Sequence, residues 1–149
     1  MTMQNLRKTM EEIYSHLLIR YYQKLFTHSN NEIIDLSAME ISMLEIIYHL
    51  QQPTYSELSA FMHISQPNLT YRINNLIQKG YVESTTDEKD KRRHYLKVTS
   101  KFFDFYEIDN EYLNQLSWQV LEQLSPTENQ VLEKILNITM QVIKKQEEI

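Results

Sequence analysis

The chain has no cysteine, a single glycine and three prolines in 149 residues. Without thiols there is no disulfide and no peroxide-sensing or other thiol redox chemistry. One glycine cannot make a glycine-rich phosphate loop, and so few turn residues argue against an all-β fold and for helices joined by short connections. The first dozen positions carry charges and no long apolar core, and no later run reaches the length of a membrane span. Neither a signal peptide nor a transmembrane segment is expected, and a cytoplasmic location follows as the default. The five histidines, His16, His28, His49, His63 and His94, show no pair at metal-ligand spacing, so no metal and no cofactor are expected. No motif places a serine–histidine–acid set, and an enzyme is not expected.

What is present is ordinary in amount and uneven in distribution. Hydrophobic residues make up 42% and charged residues 23%, enough for one core with an appendage. The net charge is −5, but residues 1–53 carry four Lys/Arg against six Asp/Glu, residues 54–101 eight against five, and residues 102–149 three against nine. Only the middle third is basic. A local DNA contact on an acidic body would look like this, as would a chance excess.

Residues 65–80 carry the strongest local signal. Ser65 is a helix N-cap candidate, Pro67 falls in the first turn, and Gly80 is a C′ residue free to take positive φ. Leu69, Ile73, Leu76 and Ile77 share one helical face. The other face shows Pro67, Asn68, Tyr71, Asn74, Asn75 and Gln78, with Thr70 and Arg72 on its flanks, and no carboxylate. Before it, Thr54 and Glu57 form a capping-box signal and Tyr55, Leu58, Ser59 and Met62 a short helix. The three residues 63–65 between the two helices spell helix-turn-helix, with Ile64 plugging the corner. After Gly80 the period changes to two. Residues 81–85 and 94–99 read as strands, Leu96 and Val98 facing inward, joined by the charged segment 86–93, which makes the hairpin a wing.

Long amphipathic helices flank this module. One runs from about Leu6 to Phe26 and ends at a loop over 28–32. A second, opened by Ser37 and Glu40, reaches about Leu50 with two apolar rows and is stopped at 51–53. Lys101–Leu124 is a third, with Phe105, Ile108 or Asp109, Tyr112, Leu116 and Val120 on its apolar side. Ser125-Pro126-Thr127-Glu128 starts the last, with Val131, Leu132, Ile135, Ile138 and Val142 on one face. Arcs this broad exceed what a module of under 50 residues can cover, so a two-chain helical assembly is expected.

These residues resemble the MarR-type winged helix-turn-helix regulators. Ser65, Leu69, Thr70, Ile73, Leu76, Gly80 and Val82 match the family's recognition segment, and Asp90, Arg92, Val98 and Thr99 its wing. The resemblance implies a mainly α fold with a small β-wing: an N-terminal dimerisation helix (1–34), a DNA-binding module (35–100) and C-terminal dimerisation helices (101–149). It implies a homodimer on pseudo-palindromic double-stranded DNA, released by a small ligand. It puts Ser65 and Thr70 on phosphates, Gln66, Pro67 and Asn68 near base edges, and Arg92 in the minor groove, held by an ion pair to Asp90. Lys89, Lys91 and Arg93 would serve the phosphate backbone. Tyr71 stands where the family has arginine and is followed by Arg72. Tyr71 could meet a thymine methyl or a phosphate, and Asn68 could pair with adenine. Asn75 completes the candidate surface.

Tyr21, Tyr22, Phe26 and Tyr48 supply aromatic groups where such regulators hold inducers. They fit either an apolar or aromatic effector or plain core packing. The competing function is a winged-helix protein-interaction module on a helical scaffold, which would expose aliphatic residues in place of the acid-free helix face.

Overall fold

Three capping boxes start helices where serine or threonine precedes glutamate by three residues. In each, the hydroxyl accepts the glutamate backbone N–H while the carboxylate takes the cap backbone N–H: Ser37 with Glu40, Thr54 with Glu57, and Ser125 with Glu128. The computed structural model describes residues 2–29 and 35–147. Its elements are α1 (Met3–Ser29), α2 (Ala38–His49), α3 (Tyr55–Met62), α4 (Gln66–Gln78), β1 (Val82–Thr86), β2 (His94–Val98), α5 (Ser100–Leu121) and α6 (Pro126–Glu147). This is the mainly helical winged fold expected. Helix α1 continues through His28 and Ser29, where a loop was expected; the rest of that loop, Asn30, Asn31 and Glu32, lies outside the described residues. So do the side chains of Phe105, Ile108 and Asp109.

Two compact units divide the chain, Met1–Phe102 and Phe103–Ile149. In the first, Ile41, Met43, Leu44 and Ile47 of α2 are sealed from solvent together with Leu58, Leu69, Ile73, Leu76, Leu96 and Phe102. Helix α2 is thus central, but Leu50, expected in its second row, is its C-cap and is exposed. Gln51 and Gln52 then take left-handed backbone, φ 54° and 69°, which ends the helix without glycine. The hairpin pairs antiparallel from Val82↔Val98 to Thr86↔His94. Leu96 donates its N–H to the Pro53 carbonyl at 2.9 Å and Thr54 bridges Tyr95, so the α2–α3 link lines the free edge of β2.

In the second unit, the last turn of α5 and the capped start of α6 are joined by a short link. Trp118 of α5 and Val131, Ile135, Ile138 and Val142 of α6 all remain exposed in the single chain.

Candidate nucleic-acid interface

Helix α4 is fixed at its inner face and at its C-terminus. Leu69, Ile73 and Leu76 are fully buried. The turn from α3 passes through His63 in left-handed backbone (φ 52°), and the Ser59 hydroxyl donates to the Ile64 carbonyl at 2.7 Å. At the other end Gly80 N–H bonds to Ile77 and Tyr81 N–H to Leu76, both at 2.9 Å, the double bond of a Schellman cap with Gly80 at φ 79°. The carbonyls of this end are gathered by the start of α5: Thr99 Oγ1 donates to Gly80 O at 2.7 Å and Lys101 Nζ to Lys79 O at 2.9 Å. Lys79 in turn reaches Glu40 of α2 at 2.9 Å.

The N-terminus is different. Ser65 has the extended backbone of an N-cap, but its side chain makes no cap bond, and the first turn holds no acid. Its hydroxyl and the first N–H groups of α4 are therefore left for an anion. Ser65, Gln66, Pro67, Asn68, Thr70 and Tyr71 are all exposed, while Arg72 and Asn75 are half-buried. Gln66 Nε2 donates to Ser56 Oγ at 3.0 Å, and Arg72 Nε donates to Asn68 Oδ1 at 3.2 Å.

The wing tip is organised by a residue the sequence did not single out. Asp87 Oδ1 accepts the backbone N–H groups of Lys89 (2.8 Å) and Asp90 (2.9 Å), and Oδ2 accepts the Tyr95 hydroxyl at 3.2 Å. The Asp90 N–H, then that of Lys89, hold the Asp87 carboxyl below its usual range, and Tyr95 adds to the effect. The backbone of Asp87 also closes the turn, its N–H bonding to Arg93 O at 2.9 Å. An ion pair between Asp90 and Arg92 was expected, and the structure corrects this. Asp90 Oδ1 accepts the backbone N–H of Arg92 at 3.1 Å, and among the described residues no carboxylate meets the Arg92 guanidinium. The turn brings the i+2 N–H onto the aspartate before the long side chain can fold back. The acid thus shapes the loop and leaves the cation free. Lys89, Lys91, Arg92 and Arg93 are exposed beside it. The Tyr95 hydroxyl, and after it Asp90, bias Arg93 still further toward its charged form.

Helix and wing meet in one concavity of about 670 Å³, lined by Thr54, Tyr55, Ser56, Glu57, Gln66, Thr70, Ser84, Arg92, Arg93, His94 and Tyr95. Gln66 and Thr70 of α4 thus share a surface with Arg92 and Arg93. Burial pushes the Tyr55 hydroxyl up, with Ser84 opposing the shift.

The candidate effector residues lie along α1 and α2. Tyr21 packs on Tyr22 with ring centroids 5.8 Å apart, and its hydroxyl lies 3.5 Å from Ser42 Oγ. Burial raises the Tyr21 pKa, Ser42 opposing and Glu45 reinforcing the shift. Tyr48 packs on Phe102 at 5.5 Å, and Phe26 is exposed. One turn beyond Tyr21, Lys24 Nζ meets Glu45 Oε1 at 2.9 Å, both side chains nearly buried. Among the described residues no group of three histidines or acids is arranged to hold a metal, and no helix is long and apolar enough to cross a membrane.

With this geometry in place, the sequence pattern of the MarR family matches residues 36–94, the winged module from α2 to the start of β2. Over these residues the chain is similar to the MarR family. The transcriptional regulator Hpr of Bacillus cytotoxicus is 29% identical over 100 residues, 65% of this chain and 46% of Hpr. The transcriptional regulator AdcR of Streptococcus pneumoniae is 24% identical over 126 residues, 83% of this chain and 85% of AdcR. The chain spans about half the length of the Hpr proteins it matches. Streptococcus pneumoniae FabT, solved in complex with DNA, has the same fold with a TM-score of 0.64 and 21% identity, covering 97% of this chain and 99% of FabT. Both Hpr and AdcR are transcriptional regulators.

Proposed function

We propose that the chain is a sequence-specific DNA-binding transcriptional regulator that acts as a homodimer, a repressor released by a small apolar or aromatic effector. One observation carries the reading: Gln66 and Thr70 of α4 line one concavity with the unpaired Arg92 and with Arg93 of the wing. A helix presenting polar, acid-free side chains beside a hairpin that carries Arg92 and Arg93 fits a duplex, the helix in the major groove and Arg92 in the minor groove beside it. The free Ser65 hydroxyl and helix N-terminus suit a phosphate. Among the large apolar side chains of α4, only Tyr71 is exposed, so this face offers a protein partner little to bury. The DNA bound to FabT supports the same reading.

The exposed apolar side chains of α5 and α6 support a dimer, because a soluble monomer rarely leaves so much apolar surface uncovered. Two α4 helices would then enter successive major grooves about 34–36 Å apart. An effector among Tyr21, Tyr22, Phe26 and Tyr48 would release DNA only by binding the non-binding arrangement more tightly.

Selection of bound sequences from a random duplex library, with the oligomeric state measured on the same sample, tests the proposal. The expected result is a dimer enriching two inverted half-sites about one helical turn apart. A monomer at micromolar concentration, or a library with no enriched sequence, overturns it.

A further inference from the structure

Among the outward side chains of α4, Asn68 and Arg72 are bonded to each other. They stand one turn apart, with Arg72 Nε donating to Asn68 Oδ1 at 3.2 Å. Arginine has no acceptor, so the amide atom facing Nε must be the oxygen. The amide is thereby oriented: Oδ1 lies along the helix toward Arg72, and the NH₂ group is on the side away from it. The remaining guanidinium N–H groups meet no carboxylate among the described residues, and α4 carries none of its own. Lys79, further along the helix, is by contrast occupied by Glu40. What the linked pair offers a ligand is a set of donors on a held frame.

We propose that Asn68 and Arg72 form a single donor-only reading unit for guanine. The inference rests on the DNA-binding reading above and assigns the base that this part of α4 selects. Guanine is the base whose major-groove edge carries two acceptors, N7 and O6, and no donor. Adenine sets its N6 donor against the same N–H groups and is rejected. A free asparagine would favour adenine, giving a donor to N7 and an acceptor to N6. Here the acceptor half is turned toward Arg72, so adenine pairing by Asn68 is displaced. Holding Nε also removes rotamer freedom that an unbound arginine would lose on binding, and leaves the two terminal nitrogens for the bidentate contact.

The test uses the full-length protein and its own selected operator at one fixed salt concentration. The wild type is expected to require guanine at one position per half-site, preferring it roughly tenfold to a hundredfold over adenine, with a similar loss when 7-deazaguanine removes N7. Arg72→Ala should bring that preference close to one, Arg72→Lys should not restore it, and Asn68→Ala should weaken it at the same base pair. The double variant should be no worse than Arg72→Ala. Retention of the guanine preference by Arg72→Ala, an equal loss on all sequences, or an Asn68→Ala effect at a different base pair would each overturn the unit. If the wild type enriches no sequence at all, the DNA reading itself falls, and that is seen before any variant is made.

Discussion

The Tyr95 hydroxyl donates to Oδ2 of Asp87 at 3.2 Å while Oδ1 of the same carboxylate holds two backbone N–H groups of the loop. One side chain therefore ties the wing tip to β2, and Arg92 projects from a loop whose shape is set beforehand.

This separates two variants that would otherwise look alike. Arg92→Ala removes one cation from each protomer of the proposed dimer, so operator affinity should fall and the slope of log affinity against log salt should decrease by about two. Asp87→Ala leaves every cation in place and loosens the loop. Affinity should fall roughly three- to tenfold with the salt slope unchanged. Titrations at several salt concentrations read both. An unchanged affinity for Arg92→Ala would remove the wing from the interface.

Glu40 gives the fold an acid limit. Burial works to raise its pKa, but the Ser37 N–H and the Lys79 ammonium outweigh it and hold the carboxyl below the usual glutamate range. With the folded value below the unfolded one, its stabilisation is complete above the ordinary glutamate range and disappears as pH falls through the folded value. Unfolding by urea between pH 6 and pH 3 should show this loss, and Glu40→Gln should flatten that part of the curve. An identical acid limb in the variant would count against the linkage.

Lys24 and Glu45 are nearly buried side by side. Lys24→Met strands a carboxylate and should cost about 3 kcal/mol, whereas Lys24→Met with Glu45→Leu should come within about 1 kcal/mol of the wild type. Denaturant midpoints decide between them. Equal destabilisation by the single and the double change would mean the pair matters for its own attraction.

Gly80→Ala isolates a backbone cost. An added Cβ would meet nothing within 4 Å, yet φ is +79°. The penalty should be the left-handed one alone, about 1–2 kcal/mol, with DNA affinity at saturating fold little changed. A cost above about 4 kcal/mol would show that the Schellman turn had rearranged.

Much of the local architecture was legible because its causes are local. Ser37 with Glu40, Thr54 with Glu57 and Ser125 with Glu128 bond across three residues, so spacing alone reveals them. Leu96 and Val98 face inward by the period of a strand. Gly80 marks a helix end because left-handed backbone is needed there. Other features depend on which segments the fold brings together. Lys79 and Glu40 lie 39 residues apart and Lys24 and Glu45 lie 21 apart, and no periodicity links them. The role of Asp87 was missed and that of Asp90 misassigned, because the loop dihedrals decide which carboxylate meets which N–H. Its available clue was an aspartate two residues before a backbone N–H in a glycine-free turn, the setting for an Asx turn.

The two ends of α4 are held unequally. Its last carbonyls and those just beyond are taken by Tyr81, Thr99 and Lys101, while its first turn lacks the side-chain cap that is worth about 1 kcal/mol. Amide hydrogen exchange along the helix should therefore slow from Asn68 toward Gln78. The helix is anchored where it joins the body and compliant where its N–H groups meet solvent. On the proposed DNA-binding reading, the first turn would adjust to the local path of a phosphate chain while the remaining turns stay in register.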